Sequence, residues 1–213
     1  MNNKKKVPLI ISFEGNIGAG KTTCLKAVSK ELEQLGEIVH IVDEPIPNAD
    51  ELKRFYENPT EYSFSIQCHF INQWMKNLEF PDNASIILMD RSLHSVAYFS
   101  RVLQSQDYLT KYQVDCLESM CLHNYFLTDK KPQLIINLVV PTKQCLKNIK
   151  TRKRPGEELI SDAYLKKLQY EINNHITNAA AHGALVYYTS NNDKSYVESM
   201  VAFILSYKKI IKS

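Results

Sequence analysis

The sequence predicts an α/β protein, a three-layer α/β/α sandwich on a five-stranded parallel sheet. Short apolar runs alternate with longer segments of helical spacing, the pattern of parallel strands covered on both faces. The first run feeds directly into Gly15-Asn16-Ile17-Gly18-Ala19-Gly20-Lys21-Thr22, which fits G-x-x-x-x-G-K-[ST]. With 213 residues, 44% of them hydrophobic, the chain supplies one sizeable core. Residues 1–213 therefore read as one domain, with a small lid at about 150–160.

The first strand spans Val7 to Glu14 and the first helix Thr22 to Leu35, closed by Gly36. Between them the glycines let successive N–H groups point at phosphate oxygens. Lys21 brings positive charge to the outer phosphates, and the Thr22 hydroxyl can ligate Mg²⁺. A helix N-terminus directly after the loop favours the same anion.

Ile38 to Val42 is the second strand and runs into Asp43-Glu44-Pro45. Ligands of open α/β sheets gather at the carboxyl ends of strands, so Glu44 stands where chemistry is expected. By itself, a Glu before Pro reads as a solvated turn. Ala49 to Glu57 is a short helix stopped by Asn58-Pro59, and Glu61 to Glu79 is a longer one. Phe64, Cys68, Ile71, Met75 and Leu78 form a core stripe on that helix. Gln67, Phe70 and Trp74 lie beside it. Gln67 and Trp74 are two turns apart on one face, where an amide and an indole can hold a base; taken alone, such a stripe is ordinary packing.

The third strand, Ser85 to Met89, ends in Asp90-Arg91-Ser92, with Ser92 placed to cap the next helix. Asp90-Arg91 reads as a salt bridge or as a metal-side carboxylate beside a phosphate-binding guanidinium. Lys111 to Tyr125 is helical, and Gln133 to Val140 is the fourth strand. Thr142 caps a helix that runs into Arg152-Lys153-Arg154-Pro155-Gly156-Glu157. This cluster reads as a solvated turn or, given the phosphate loop, as a lid closing arginines over a triphosphate. A long helix from Asp162 to Gly183, a fifth strand Leu185 to Tyr188 and a terminal helix Ser195 to Ile211 complete the chain.

The bulk properties exclude several classes. A net charge of +3 implies no broad nucleic-acid surface, and Lys4-Lys5-Lys6 reads as a solvated tail. No apolar run has the length of a membrane span, and the start lacks a signal segment. Five cysteines without zinc spacing suit reduced thiols in a cytoplasmic compartment.

Together, the loop, Glu-Pro, the amide-bearing helix, Asp-Arg-Ser and the arginine lid resemble the deoxynucleoside kinase family, a P-loop kinase fold, from Ile10 to about Tyr170. Glu14-Gly15-Asn16-Ile17-Gly18 is the most specific string. Arg154-Pro155-Gly156-Glu157 and Asp90-Arg91 lean towards its viral thymidine kinase branch. The resemblance implies ATP as phosphate donor, Mg²⁺, a deoxynucleoside acceptor in nucleotide salvage for DNA synthesis, and a homodimer. It implies Glu44 as general base, with Arg91 holding that carboxylate and the transferring phosphate, and Lys21 on the phosphates. Gly15 to Thr23, together with Arg152 and Arg154, would bind ATP, and Thr22 and Asp90 would serve Mg²⁺. Gln67 would pair with a pyrimidine edge, Tyr56 and Glu157 would hold the sugar 3′-hydroxyl, and Tyr62 and Ile66 would line the pocket.

Three positions depart from the family pattern. Ala49 replaces a Trp near the sugar. Asn148 replaces a lid arginine, which touches adenine preference. Trp74 and Val96 stand where relatives favouring deoxycytidine or purines carry Arg and Asp. An uncharged pocket suits the 5-methyl of thymine, so thymidine is the expected substrate. The rival readings are a thymidylate kinase-type monophosphate kinase and a catalytically inactive nucleotide-binding subunit on the same fold. A switch GTPase is weaker, because no Asn-Lys-x-Asp string is present.

Overall fold

The computed structural model describes residues 7–128, 130–190 and 195–211. Lys4-Lys5-Lys6 lies outside the described residues. Five parallel strands form one sheet: β1 (Leu9–Gly15), β2 (Val39–Val42), β3 (Ile86–Asp90), β4 (Leu134–Leu138) and β5 (Leu185–Thr189). Their order is β2-β3-β1-β4-β5, with β1 at the centre. Every residue of β1, β3 and β4 is buried, which explains why these strands read as continuous apolar runs rather than as alternating ones.

Among the described residues, eight α-helices connect and cover the strands: α1 (Lys21–Gln34), α2 (Ala49–Glu57), α3 (Pro59–Asn77), α4 (Ser95–Gln104), α5 (Lys111–Thr128), α6 (Thr142–Arg152), α7 (Asp162–Ala181) and α8 (Tyr196–Ile210). One apolar cluster joins β1 and β4 to α1, α7 and α8. A second fills the space between β3 and helices α3, α4 and α5. The sheet thus has helices on both faces, as the alternation predicts. Among the described residues, no helix is long and apolar enough to cross a membrane.

The structure differs from the sequence reading in four places. Pro59 does not merely stop α2; it occupies the first turn of α3, where its missing N–H costs nothing. Ser92 does not cap α4: His94 holds that position and the Ser92 hydroxyl donates instead to Glu14 Oε1, 3.0 Å away. Thr142 likewise is the first residue of α6 rather than its cap, and its hydroxyl donates to Asp162 Oδ1 at 2.6 Å. On α3 the buried side carries Ser63, Ile66, Gln67, Ile71 and Trp74, while Phe64, Cys68 and Met75 are half-buried. Two adjacent apolar stripes compete on this helix. The neighbouring α4 and α5, not the helix's own periodicity, decide which is deepest.

Candidate active site

A cavity of about 520 Å³ opens where β1, β2 and β3 end. Its floor is the loop after β1, with Ile17, Gly18, Gly20, Lys21, Thr22 and Thr23 on the wall. Glycine is required here: Gly18 and Gly20 have φ of +76° and +86°, and a Cβ on Gly18 would stand 2.5 Å from the Cys145 carbonyl oxygen. The loop is held from behind. Asn16 Nδ2 donates to the Leu165 carbonyl at 2.8 Å, and the Ile17 N–H donates to Asn16 Oδ1 at 2.9 Å. Asn148 Nδ2 donates to the Gly18 carbonyl at 2.7 Å. Gly15, Asn16 and Ala19 therefore shape the loop without lining the cavity.

Lys21 Nζ folds back onto the Asn16 carbonyl, 3.0 Å away. Burial, with Arg91 nearby, lowers its pKa to about 8, against the opposing pull of Glu44, Asp90 and Glu14. A phosphate chain in the loop would supply the missing anionic partner.

The second wall comes from β2 and β3. Arg91 has φ +70°, so the chain reverses just after Asp90, and its N–H donates to the Phe13 carbonyl at 3.0 Å. That reversal turns its side chain into the cleft. Arg91 Nε lies 2.8 Å from Glu44 Oε1, and Arg91 Nη1 donates to the Gly15 carbonyl at 2.9 Å. Burial works against this charge, yet Tyr98, Glu44, Glu14 and Asp90 outweigh it and raise the guanidinium pKa. Thr22 donates its hydroxyl hydrogen bond to Asp90 Oδ2. The other oxygen, Asp90 Oδ1, is buried with no partner among the described residues. A hard divalent cation such as Mg²⁺ fits this pair, because it takes a hydroxyl and an unsatisfied carboxylate oxygen.

The third wall belongs to α2, α3, α4 and the lid. Gln67, buried, and Ile66 face the cavity from α3, and Val96 faces it from α4. Tyr56 joins from α2; burial and the nearby Tyr164 and Glu157 hold its hydroxyl well above its ordinary pKa. Arg152 grips Glu157 in a two-point contact, Nε to Oε2 and Nη2 to Oε1, both 2.6 Å. Arg154 Nη1 reaches the same Oε1 at 3.2 Å. The short 3₁₀ turn Glu157–Leu159 seats this carboxylate, which is 3% exposed.

Two expected lining residues stand elsewhere. Trp74 is wholly buried in the second apolar cluster and is absent from the cavity wall, because the face of α3 that carries it passes under α4 and α5 beyond Gln67. Tyr62 is half-buried against that cluster and also leaves the wall. The reading from sequence missed Phe55, Phe99, Ser95 and Tyr164, and gave no site role to Phe70 or Asn148, all of which line the cavity. Phe99 lies three residues after Val96 on α4, on the same side of the helix, and that spacing was the available signal.

The geometry agrees with comparisons to known proteins. The deoxynucleoside kinase family profile matches residues 11–211. This chain belongs to the deoxynucleoside kinase family. A deoxyguanosine kinase of Bacillus subtilis is 31% identical over 173 residues, 76% of each chain. A deoxyguanosine kinase of Lactobacillus johnsonii is 29% identical over 171 residues, covering 76% of this chain and 74% of the relative. The human mitochondrial thymidine kinase 2 is 25% identical over 182 residues, covering 78% and 64%. In fold, deoxyadenosine kinase from M. mycoides with bound dCTP superposes with a TM-score of 0.77 at 21% identity, over 92% of this chain and 98% of that one. The expected α/β/α fold of a P-loop kinase and the family resemblance are both borne out.

Proposed function

We propose that this deoxynucleoside kinase transfers the γ-phosphoryl group of ATP to the 5′-hydroxyl of its acceptor, with thymidine preferred. The observation that carries the reading is the Glu44–Arg91 contact of 2.8 Å in the same cleft as Lys21 and Thr22. Phosphoryl transfer needs in-line positioning and charge neutralisation more than covalent chemistry. Glu44 accepts the 5′-hydroxyl proton as the oxygen attacks the γ-phosphorus, and ADP leaves with the bridging oxygen. Lys21, Arg91, Arg152 and Arg154 offset the charge on the phosphates. Arg152 and Arg154 must exchange Glu157 for phosphate oxygens as the lid closes. Thr22 and Asp90 would hold Mg²⁺, which would supply positive charge to the phosphate chain. Tyr56 and Glu157 hold the sugar 3′-hydroxyl.

The base would sit among Gln67, Ile66, Phe70, Val96 and Phe99. The Gln67 amide offers one donor and one acceptor and meets the N3–H and O4 of thymine as a pair. Val96 puts no charge beside the base, which suits a 5-methyl group. With Trp74 out of the wall, Val96, Phe70 and Phe99 are the uncharged side chains that face the base. The same amide, turned over, pairs with guanine O6 and N1–H. Relatives at 29–31% identity include deoxyguanosine and deoxyadenosine kinases, so a purine acceptor is the second reading.

Initial rates with four deoxynucleosides and thymidine monophosphate, each with Mg-ATP, test this. Thymidine fastest is the expected result. Deoxyguanosine or deoxyadenosine fastest moves the assignment to the purine reading. A faster rate on thymidine monophosphate would give the chain a monophosphate acceptor. ATP binding with no acceptor phosphorylated would make it an inactive nucleotide-binding subunit. A cytoplasmic homodimer belongs to the same reading, and light scattering checks the mass.

A further inference from the structure

Behind Arg91 lies a buried polar chain with no part yet in the transfer. Tyr98, wholly buried on α4, donates its hydroxyl to Glu14 Oε2 at 2.7 Å. The same hydroxyl accepts from Arg91 Nη1 at 2.7 Å. Glu14, 2% exposed near the end of β1, takes Ser92 Oγ on its other oxygen at 3.0 Å. Burying a carboxylate here carries a cost, since burial raises the Glu14 pKa against the lowering by Arg91, Tyr98 and Ser92. An apolar pair would fill the same space without it, so the arrangement calls for a role beyond packing.

We propose that Glu14 and Tyr98 are positioning residues that fix the rotation of the Arg91 guanidinium. The inference rests on the roles given above to Arg91 and Glu44. Two acceptors take hydrogen bonds from Nη1, Gly15 O and Tyr98 Oη, and the Glu44 carboxylate lies 2.8 Å from Nε as an ion pair. The two hydrogen bonds at one end and the ion pair at the other fix the rotation of the planar group. Tyr98 can accept from Arg91 because its own proton is committed to Glu14. The carboxylate thus sets the direction of the whole chain, from guanidinium to phenol to carboxylate. Phe99 and Tyr98 flank the guanidinium carbon, with ring centroids 5.0 and 6.0 Å away, and retain it when a hydrogen bond is lost. Loss of the bracket therefore misorients Arg91 without expelling its charge.

Two substitutions separate orientation from charge. Tyr98→Phe removes one oxygen and with it the acceptor for Nη1. Glu14→Gln cannot accept from both Ser92 and Tyr98, because one end of the amide is a donor; one of the two hydroxyls must turn away. Each variant is measured with the fastest acceptor for kcat, KM and ATP Kd, per folded molecule from thermal melts. Ser100→Ala, on the same helix and with no partner for its hydroxyl, is the packing control. Glu44→Gln runs alongside.

The expected result is a fall in kcat of about ten- to a hundredfold for both variants, with acceptor KM and ATP Kd within about twofold. The double variant should match the worse single one, because both act through one chain of bonds. Ser100→Ala should keep its kcat. If Glu14→Gln does not fold, Tyr98→Phe decides alone. Tyr98→Phe with kcat within about twofold of the parent, while Glu44→Gln is inactive, overturns the bracket and leaves the proposed function standing. A fully active Glu44→Gln removes the reading of the site and the bracket with it.

Discussion

Arg91 Nε stands 2.8 Å from Glu44 Oε1, joining the residue after β3 to the end of β2 across the mouth of the cleft. One partner is wholly buried and the other is 21% exposed, so the carboxylate keeps a free side towards an acceptor. Glu44→Gln should therefore lower kcat by roughly two to four orders of magnitude, the range of a lost general base, with ATP binding nearly unchanged. Steady-state rates and an ATP titration check it; full retained activity removes Glu44 from that role.

Lys21 gives a pH dependence. Its pKa in the ligand-free fold is about 8, lowered by burial and Arg91. In the proposed site it is the protonated form that binds phosphate, and the proton is lost as pH rises through that value. ATP affinity should decline from pH 7 to pH 9, and Lys21→Ala should weaken binding and flatten the curve. The sign for stability is the reverse. The unfolded chain, with its ordinary pKa of 10.5, holds more protons between about pH 8 and 10.5. This group's contribution to ligand-free stability thus rises with pH across that window. Isothermal titration and denaturant melts at several pH values separate the two trends.

Asp90 Oδ1 is buried and has no partner among the described residues. Asp90→Asn keeps the shape but removes the charge proposed to hold a divalent cation. The Mg²⁺ concentration for half-maximal rate should rise roughly tenfold or more. An unchanged Mg²⁺ curve would take Asp90 out of the metal site.

Gly156 seats the lid at φ +85°, and a Cβ there would stand 2.9 Å from Tyr56 Cδ2 and 3.1 Å from the Lys53 Cα. The Lys53 contact is backbone and cannot swing aside. Gly156→Ala should cost about 1–3 kcal/mol and shift Glu157 from its place beside Tyr56. A lower Tm together with a raised acceptor KM is the expected pair of effects. A raised KM without thermal destabilisation would argue against strain as the cause.

The amino-acid sequence by itself determined the phosphate loop, the alternation of strands and helices, and the strand-end positions of Glu44, Asp90 and Arg91. Each is local: glycine spacing sets the loop, periodicity sets the elements, and the end of an apolar run marks the end of a strand. The tertiary structure decided what lies between elements. The order β2-β3-β1 brings Glu44 and Arg91 together, although they are far apart in the chain. Packing against α4 and α5 drew Trp74 inward, leaving Gln67 and Val96 on the cavity wall. In the sequence, Glu14 is only the first residue of the string Glu14-Gly15-Asn16-Ile17-Gly18. Only the pairing of β1 with β3 and the reversal at Arg91 seat it under Tyr98, where a buried carboxylate needs a partner and finds one.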